Sequence, residues 1–147
     1  MENVDNMVAT AQEETEVKSQ PSLPSKELCE KGKRAAARFL ERRGYKILDT
    51  DWSCSAGEID IVALEEDSTD STLCFVEVKT RVGAENGFPH EAITEDKRDR
   101  MEKIACQYLL EYDDPEIPVR FDVISLVVLS ESRAFLRHHT NAFGFDC

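Results

Sequence analysis

Apolar and polar positions follow two rhythms along this chain, and the changes of rhythm predict its elements. Leu28, Gly32, Ala35, Ala36, Phe39 and Leu40 recur at intervals of three and four, which places them on one face of a helix. Ser25 suits its N-cap and Gly44 its stop, so the helix is expected to run to Arg43. Lys46 to Trp52 and Glu58 to Leu64 then read as strands joined by the turn-like Ser55-Ala56-Gly57. The polar run Glu65 to Thr72 reads as a hairpin loop, Leu73 to Thr80 as a third strand, and Gly83 to Pro89 as a loop beside it.

The helical rhythm returns at Thr94, a suitable cap followed by Glu95 and Asp96 at the positive helix end. Met101, Ile104, Ala105, Tyr108, Leu109 and Tyr112 form its apolar face, and Asp113-Asp114-Pro115 closes it. Val119 to Leu129 is apolar almost throughout, as expected of a central strand buried on both faces. Ala134 to His139 makes a short last strand. Residues 1–25 are rich in Glu, Thr, Gln and Ser and end in Pro21-Ser22-Leu23-Pro24. Too few apolar groups occur there to offset the entropy of ordering, so a disordered acidic tail is expected, followed by one domain over 26–147. The order is helix-β-β-β-helix-β-β, an α/β fold with a central mixed sheet flanked by helices.

Charge changes this picture only locally. Of the net charge of -12, residues 1–27 carry -4, from six acids against Lys18 and Lys26, so -8 belongs to the remainder. A chain living on non-specific phosphate contacts is usually basic, so a nucleic-acid partner requires a local patch. Lys31, Arg34, Arg38 and Arg42, spaced by three and four, form such a stripe on the first helix. An ordinary solvated helix face is the competing explanation. Lys97, Arg98 and Arg100 open the second helix, where cations oppose its dipole; phosphate contact or ion pairs with Asp96, Asp99 and Glu102 account for them.

The five cysteines are odd in number and include no C-x-x-C, which points to reduced thiols rather than a disulfide framework or zinc site. No signal-peptide pattern or membrane-length apolar run occurs, so a cytoplasmic protein without membrane contact is expected. His138 and His139 are adjacent on a strand and point to opposite faces, and His90 is isolated, which argues against a histidine metal site. No Gly-rich phosphate loop supports use of a nucleotide cofactor. Arg120 and Asp122 share one face of the central strand and suit a structural ion pair.

Two adjacent strands carry the most informative chemistry. Gly57-Glu58-Ile59-Asp60-Ile61-Val62-Ala63 sets Glu58 and Asp60 on one side of an apolar strand. Phe75-Val76-Glu77-Val78-Lys79-Thr80-Arg81 does the same for Glu77 and Lys79. Charges in a buried strand are costly unless paired or bound to metal. Spacing alone allows an exposed sheet edge, which it favours, or a metal-dependent hydrolytic site. In the second case Asp60 and Glu77 would hold Mg²⁺, which often takes only one or two protein carboxylates.

Asp60 followed by Glu77-Val78-Lys79 resembles the D…(D/E)-x-K signature of the PD-(D/E)XK, restriction-endonuclease-like superfamily. More narrowly, the chain resembles the YraN-like family of predicted endonucleases. The matching pieces are Ala36-Ala37-Arg38-Phe39-Leu40, Gly44-Tyr45, Gly57-Glu58-Ile59-Asp60, the Glu77 strand through Arg81, Lys97, Arg120-Phe121-Asp122-Val123 and Asn141-Ala142-Phe143. The resemblance implies a restriction-endonuclease-like core and hydrolysis of DNA, with Mg²⁺ or Mn²⁺ held by Asp60 and Glu77. Lys79 would be the catalytic lysine and Glu58 an auxiliary acid. Lys31, Arg34, Arg38, Arg42, Arg81 and Lys97 are the candidate nucleic-acid contacts. The chain departs from the family pattern at Gly32-Lys33, where Gly-Glu is usual. Ser53 and Ser55 stand in a loop that is typically arginine-rich, and Asn86-Gly87-Phe88 replaces a Phe-Gly.

Overall fold

Ser25 caps the first helix, α1 (Lys26–Arg42), as its hydroxyl oxygen accepts the Leu28 N–H at 3.1 Å. The fold is described by a computed structural model over residues 4–10, 25–67, 69–83 and 94–143. Gly44, with φ +90°, takes the left-handed turn that ends α1. The chain then forms β2 (Tyr45–Cys54), β3 (Gly57–Glu66) and β4 (Ser71–Val82). Helix α2 (Glu95–Leu110) follows, capped by Thr94, and then β5 (Val119–Ser130) and β6 (Arg133–Phe143). Ahead of α1 lies β1 (Val4–Thr10).

The sheet has six strands in the order β1-β6-β5-β4-β3-β2. Its parallel pair, β4 with β5, is joined by the crossover containing α2, and the other neighbours are antiparallel. Helix α1 covers one face, burying Ala36, Phe39 and Leu40 over Ile61, Ala63, Val76, Ile124 and Leu126. Helix α2 covers the other, where Met101, Ile104 and Ala105 meet Ile59, Val62, Phe75 and Phe121. Burying each large apolar side chain contributes about 1.5–3 kcal/mol. Covered on both sides, β5 is buried without interruption from Phe121 to Val127, as its apolar run predicts.

The expected α/β core and element order are observed, with two corrections. Residues 4–10 are not a disordered tail: they pair antiparallel with β6, from Val4 opposite His139 to Thr10 opposite Arg133. Without β1 the sheet would end at β6 with a row of unpaired backbone donors and acceptors, and an extended segment satisfies them whatever its own apolar content. The folded unit therefore begins before residue 26; tail residues 11–24 lie outside the described residues. The hairpin loop is also shorter than its polar run, because Glu65 and Glu66 still pair with Thr72 and Ser71. The Asp67 N–H closes the turn on the Asp70 carbonyl at 2.7 Å. The loop after β4, residues 84–93, lies outside the described residues. Among those described, no helix is long and apolar enough to cross a membrane.

Candidate metal centre

The pairing of β3 with β4 runs from Glu66 opposite Ser71 to Ile61 opposite Val76 and stops there. At the next residue of each strand stand Asp60 and Glu77. In place of a backbone partner, the Val78 N–H donates to Asp60 Oδ2 at 2.8 Å. One carboxylate is thereby pinned to the stretch of β4 that carries Glu77 on one side and Lys79 on the other. On its other neighbour, β4 continues in register with β5, placing Glu77 beside Val123 and Lys79 beside Ser125. The charged residues therefore stand where the ladder between two interior strands ends, not along an edge strand.

Helix α1 reaches this point because Gly32 has no side chain. A Cβ there would lie 2.5 Å from Thr80 Oγ1 on β4. The close approach sets the neighbouring Lys33 over the end of β3. Its Nζ lies 2.8 Å from Asp51 Oδ1, 3.5 Å from Asp60 Oδ1 and 3.5 Å from Glu30 Oε1. The β2–β3 register puts Asp51 opposite Asp60, between the pairs Thr50–Ile61 and Trp52–Ile59. Two like charges facing each other across strands repel, and the ammonium between them offsets that repulsion. Asp51 adopts φ +50°, a left-handed conformation that aspartate tolerates better than most residues. On the far side Lys97, from the first turn of α2, forms an ion pair with Glu77.

These contacts set the charge states. Burial pushes the Asp60 carboxyl above the ordinary range; the Val78 N–H and the Lys33 charge pull it back, and the Glu77 charge adds to the rise. For Lys33, partial burial works against the charge, but the Asp51 hydrogen bond and the fields of Asp60, Asp51 and Glu30 outweigh it. Its pKa therefore lies above that of an ordinary lysine.

A second polar centre lies deeper, on the α1 side of β5. Asp122, fully buried, accepts four hydrogen bonds of 2.9 Å, from Arg120 Nε and Nη2, from His138 Nε2 and from the Asn141 N–H. An ionised carboxylate only accepts, so His138 Nε2 carries the proton here. Arg120 also donates to Glu65 at 2.9 Å and to the Tyr45 hydroxyl at 2.7 Å. Burial acts to raise the Asp122 pKa, but the bonds from His138 and Arg120 win and hold it below the usual carboxylate range. This network ties β2, β3, β5 and β6 together. It contains the Arg120–Asp122 pair read from the sequence and adds Tyr45, Glu65 and His138. No short-range pattern could reveal these, since they join through sequence separations of 16 to 75 residues.

The remaining candidates fall into two groups. Lys31, Arg34, Arg38 and Arg42 are exposed along α1, and Lys31 approaches Glu27 at 3.6 Å. Lys97 joins the carboxylate centre through Glu77, and Arg81 is half-buried on β4 opposite Val127. Glu58 is exposed at the start of β3, opposite Ser53. Sequence reasoning missed Asp51. Its only signal was an acid in the strand that, in the register of a hairpin closed at Ser55-Ala56, must face Asp60.

As a metal site, the donor chemistry fits a hard divalent cation. Asp60 and Glu77 supply oxygen ligands on adjacent strands, near enough for Glu77 to perturb Asp60. Among the described residues no group of three or more His, Cys, Asp or Glu converges as a metal cage, so an ion here would keep several waters, as Mg²⁺ does. Each of the two carboxylates already has a lysine ammonium as counter-charge.

Comparison with known proteins assigns the chain to a family. The model of the uncharacterised protein family UPF0102 matches residues 32–126, which span α1 from Gly32 to the middle of β5. A UPF0102 protein of Chlorobium phaeobacteroides is 39% identical over 122 residues, covering 80% of this chain and 94% of its own. One from Nocardia farcinica is 40% identical over 107 residues, 73% of this chain and 81% of its own. One from Roseiflexus castenholzii is 47% identical over 98 residues, 66% and 76%. The matched region contains Asp60, Glu77, Lys79, Lys97, Arg120 and Asp122, and the chain belongs to the UPF0102 family, the YraN-like group.

Proposed function

We propose that this protein is a Mg²⁺- or Mn²⁺-dependent endonuclease of the cytoplasm that hydrolyses DNA phosphodiester bonds, with branched, damaged or single-stranded DNA as its candidate substrates. The observation that carries this reading is the end of the β3–β4 ladder. There Asp60 takes the N–H of Val78, between Glu77 and Lys79. Asp60 and Glu77 would hold the cation. When bound, a divalent ion would neutralise charge on the phosphate and make a coordinated water more acidic.

The protein's own residues do the rest. Lys79, two residues beyond Glu77 on the same strand, would donate to a non-bridging phosphate oxygen. Its fixed charge there stabilises the extra negative charge that gathers on phosphorus as water attacks. Glu58 serves as an auxiliary acid at the rim. The exposed stripe of Lys31, Arg34, Arg38 and Arg42, with Arg81 and Lys97, would hold the flanking backbone by its phosphates. Such contacts position the strand without reading its sequence.

Incubating the purified protein with branched, nicked and single-stranded DNA tests this. Cleavage is expected with Mg²⁺ or Mn²⁺, none with chelator, and none from Lys79→Ala or Asp60→Ala. Cleavage that survives in Lys79→Ala would reject the assignment. A second reading is favoured by the two ammoniums already seated on Asp60 and Glu77: a nuclease-fold module that binds nucleic acid or a protein partner without cutting. It predicts DNA binding of equal strength with and without metal, and no cleavage of any substrate.

A further inference from the structure

Lys33 is placed unlike any other cation of α1. Lys31, Arg34, Arg38 and Arg42 are exposed, whereas the Lys33 side chain is only 22% exposed and lies against three carboxylates. The neighbouring Gly32 fixes that position by letting the helix approach Thr80, so the ammonium is built into the end of the sheet. Its contact with Asp60 uses Oδ1, and the Val78 N–H uses Oδ2. Both oxygens of the first candidate metal ligand are therefore engaged by donors from the protein itself. Glu30 is one turn before Lys33 and Asp51 opposite Asp60, so the ammonium neutralises a group of three acids that would otherwise repel one another.

We propose that the Lys33 ammonium is the resident cation of the Asp60 site and sets its affinity for divalent metal, which binds there only by displacing Lys33 towards Asp51 and Glu30. The inference rests on the metal-site reading above and adds to it the residue that limits occupancy. A dication bound by Asp60 Oδ1 would meet a positive charge now 3.5 Å from that oxygen, and at such distances like charges repel strongly even at the effective dielectric of a protein surface. Displacement is feasible because Asp51 is the nearer partner, at 2.8 Å, and retains the ammonium as it leaves Asp60. Replacing Lys33 with a neutral side chain removes the competitor and leaves the nearby charges of Glu30 and Asp51 without it.

The test is Mn²⁺ titration of the full-length chain, followed by calorimetry and by the loss of the free-ion electron paramagnetic resonance signal, without DNA. Lys33→Met and Lys33→Gln should each bind Mn²⁺ about tenfold more tightly than the parent, with Lys33→Arg close to it. Lys46→Met, which removes an exposed charge at the far end of β2, controls for net charge and should leave the affinity unchanged. Circular dichroism establishes that each variant is folded. Because the two neutral replacements differ in size and polarity, a packing defect in one does not remove the test. If parent, Met and Gln variants bind Mn²⁺ equally, and Asp60→Ala abolishes that binding, the role of Lys33 is refuted while the metal site stands. If no folded variant binds Mn²⁺ through Asp60, the metal-site reading falls and this inference with it.

Discussion

Replacing Gly32 with alanine isolates the contact on which the site depends. In a helix interior alanine is favoured over glycine by about 1 kcal/mol, so at an open position the change would stabilise the protein. Here the new Cβ would lie 2.5 Å from Thr80 Oγ1, well inside contact distance, while Thr80 Cβ and Cγ2 stand at 3.6 and 3.7 Å. Thr80 is branched at Cβ, which limits the rotamers that could turn Oγ1 away. Overpacking of this kind costs about 1–3 kcal/mol, so the single variant should range from neutral to about 2 kcal/mol less stable. In a Thr80→Ala background the offending atom is gone and only an ordinary contact with Cβ remains. There Gly32→Ala should stabilise by up to about 1 kcal/mol. Urea unfolding of the four proteins, followed by circular dichroism, gives the interaction energy of the cycle directly. The expected value is about 1–3 kcal/mol. Additive effects, with Gly32→Ala costing the same in both backgrounds, would refute the claim that this glycine serves the approach of α1 to β4.

The Asp122 network makes a different demand. Asp122→Asn leaves Arg120 and His138 facing an amide that cannot accept all four hydrogen bonds, and the loss at neutral pH should be about 3–5 kcal/mol in urea melts. Because the Asp122 carboxyl is held below the usual range, its stabilisation is complete above the unfolded value of about 3.9. It drains away as pH falls from there through the folded value. The asparagine variant should lack this part of the acid loss, and parallel stability curves from pH 7 to 2 would contradict the assignment. If the four basic residues exposed along α1 contact DNA phosphates, Arg34→Ala with Arg38→Ala should reduce the slope of log affinity against log salt by about 2. An unchanged slope excludes these two. Deleting residues 1–10 should accelerate amide exchange at those β6 N–H groups that face β1, leaving those that face β5 protected. Uniform exchange before and after deletion would mean that β1 does not cover that edge.

Much of the fold was legible because most of its elements bury a face whose period shows in the residues. The α1 stripe of Gly32, Ala36, Phe39 and Leu40 is buried as its spacing implies, as are Met101, Ile104 and Ala105 on α2. β1 was not legible for the opposite reason. Its pairing partner is the backbone edge of β6, more than a hundred residues away, and a strand recruited by edge hydrogen bonds need not announce itself in apolar content. The hairpin loop was overestimated for a related reason: Glu65, Glu66, Ser71 and Thr72 are polar, yet they pair. Polarity there reports a solvated strand end, not a loop.

The candidate site divides along the same line. Strand spacing of two set Glu58 with Asp60 and Glu77 with Lys79 on shared faces, and the resemblance to the D…(D/E)-x-K signature, not the spacing, singled out Asp60, Glu77 and Lys79. What those residues meet could be read from neither. Lys33 lies off the stripe of Lys31, Arg34, Arg38 and Arg42 and beside a glycine, but neither feature says which acids it meets. Yet that glycine removes the one Cβ that would have kept the helix off β4. The resulting approach makes this helix cation the counter-charge of Asp51, eighteen residues further along the chain, and of Asp60 beyond it. On the proposed metal-site reading, affinity would depend on helix–sheet distance as much as on ligand identity. A substitution that leaves all three motif residues intact, such as Gly32→Ala, should alter Mn²⁺ binding in the same direction as removal of the Lys33 charge, because both withdraw the ammonium from Asp60. Tighter Mn²⁺ binding in Gly32→Ala, reversed by adding Thr80→Ala, would tie the packing contact to the charge it positions; an affinity unmoved by either change would separate them.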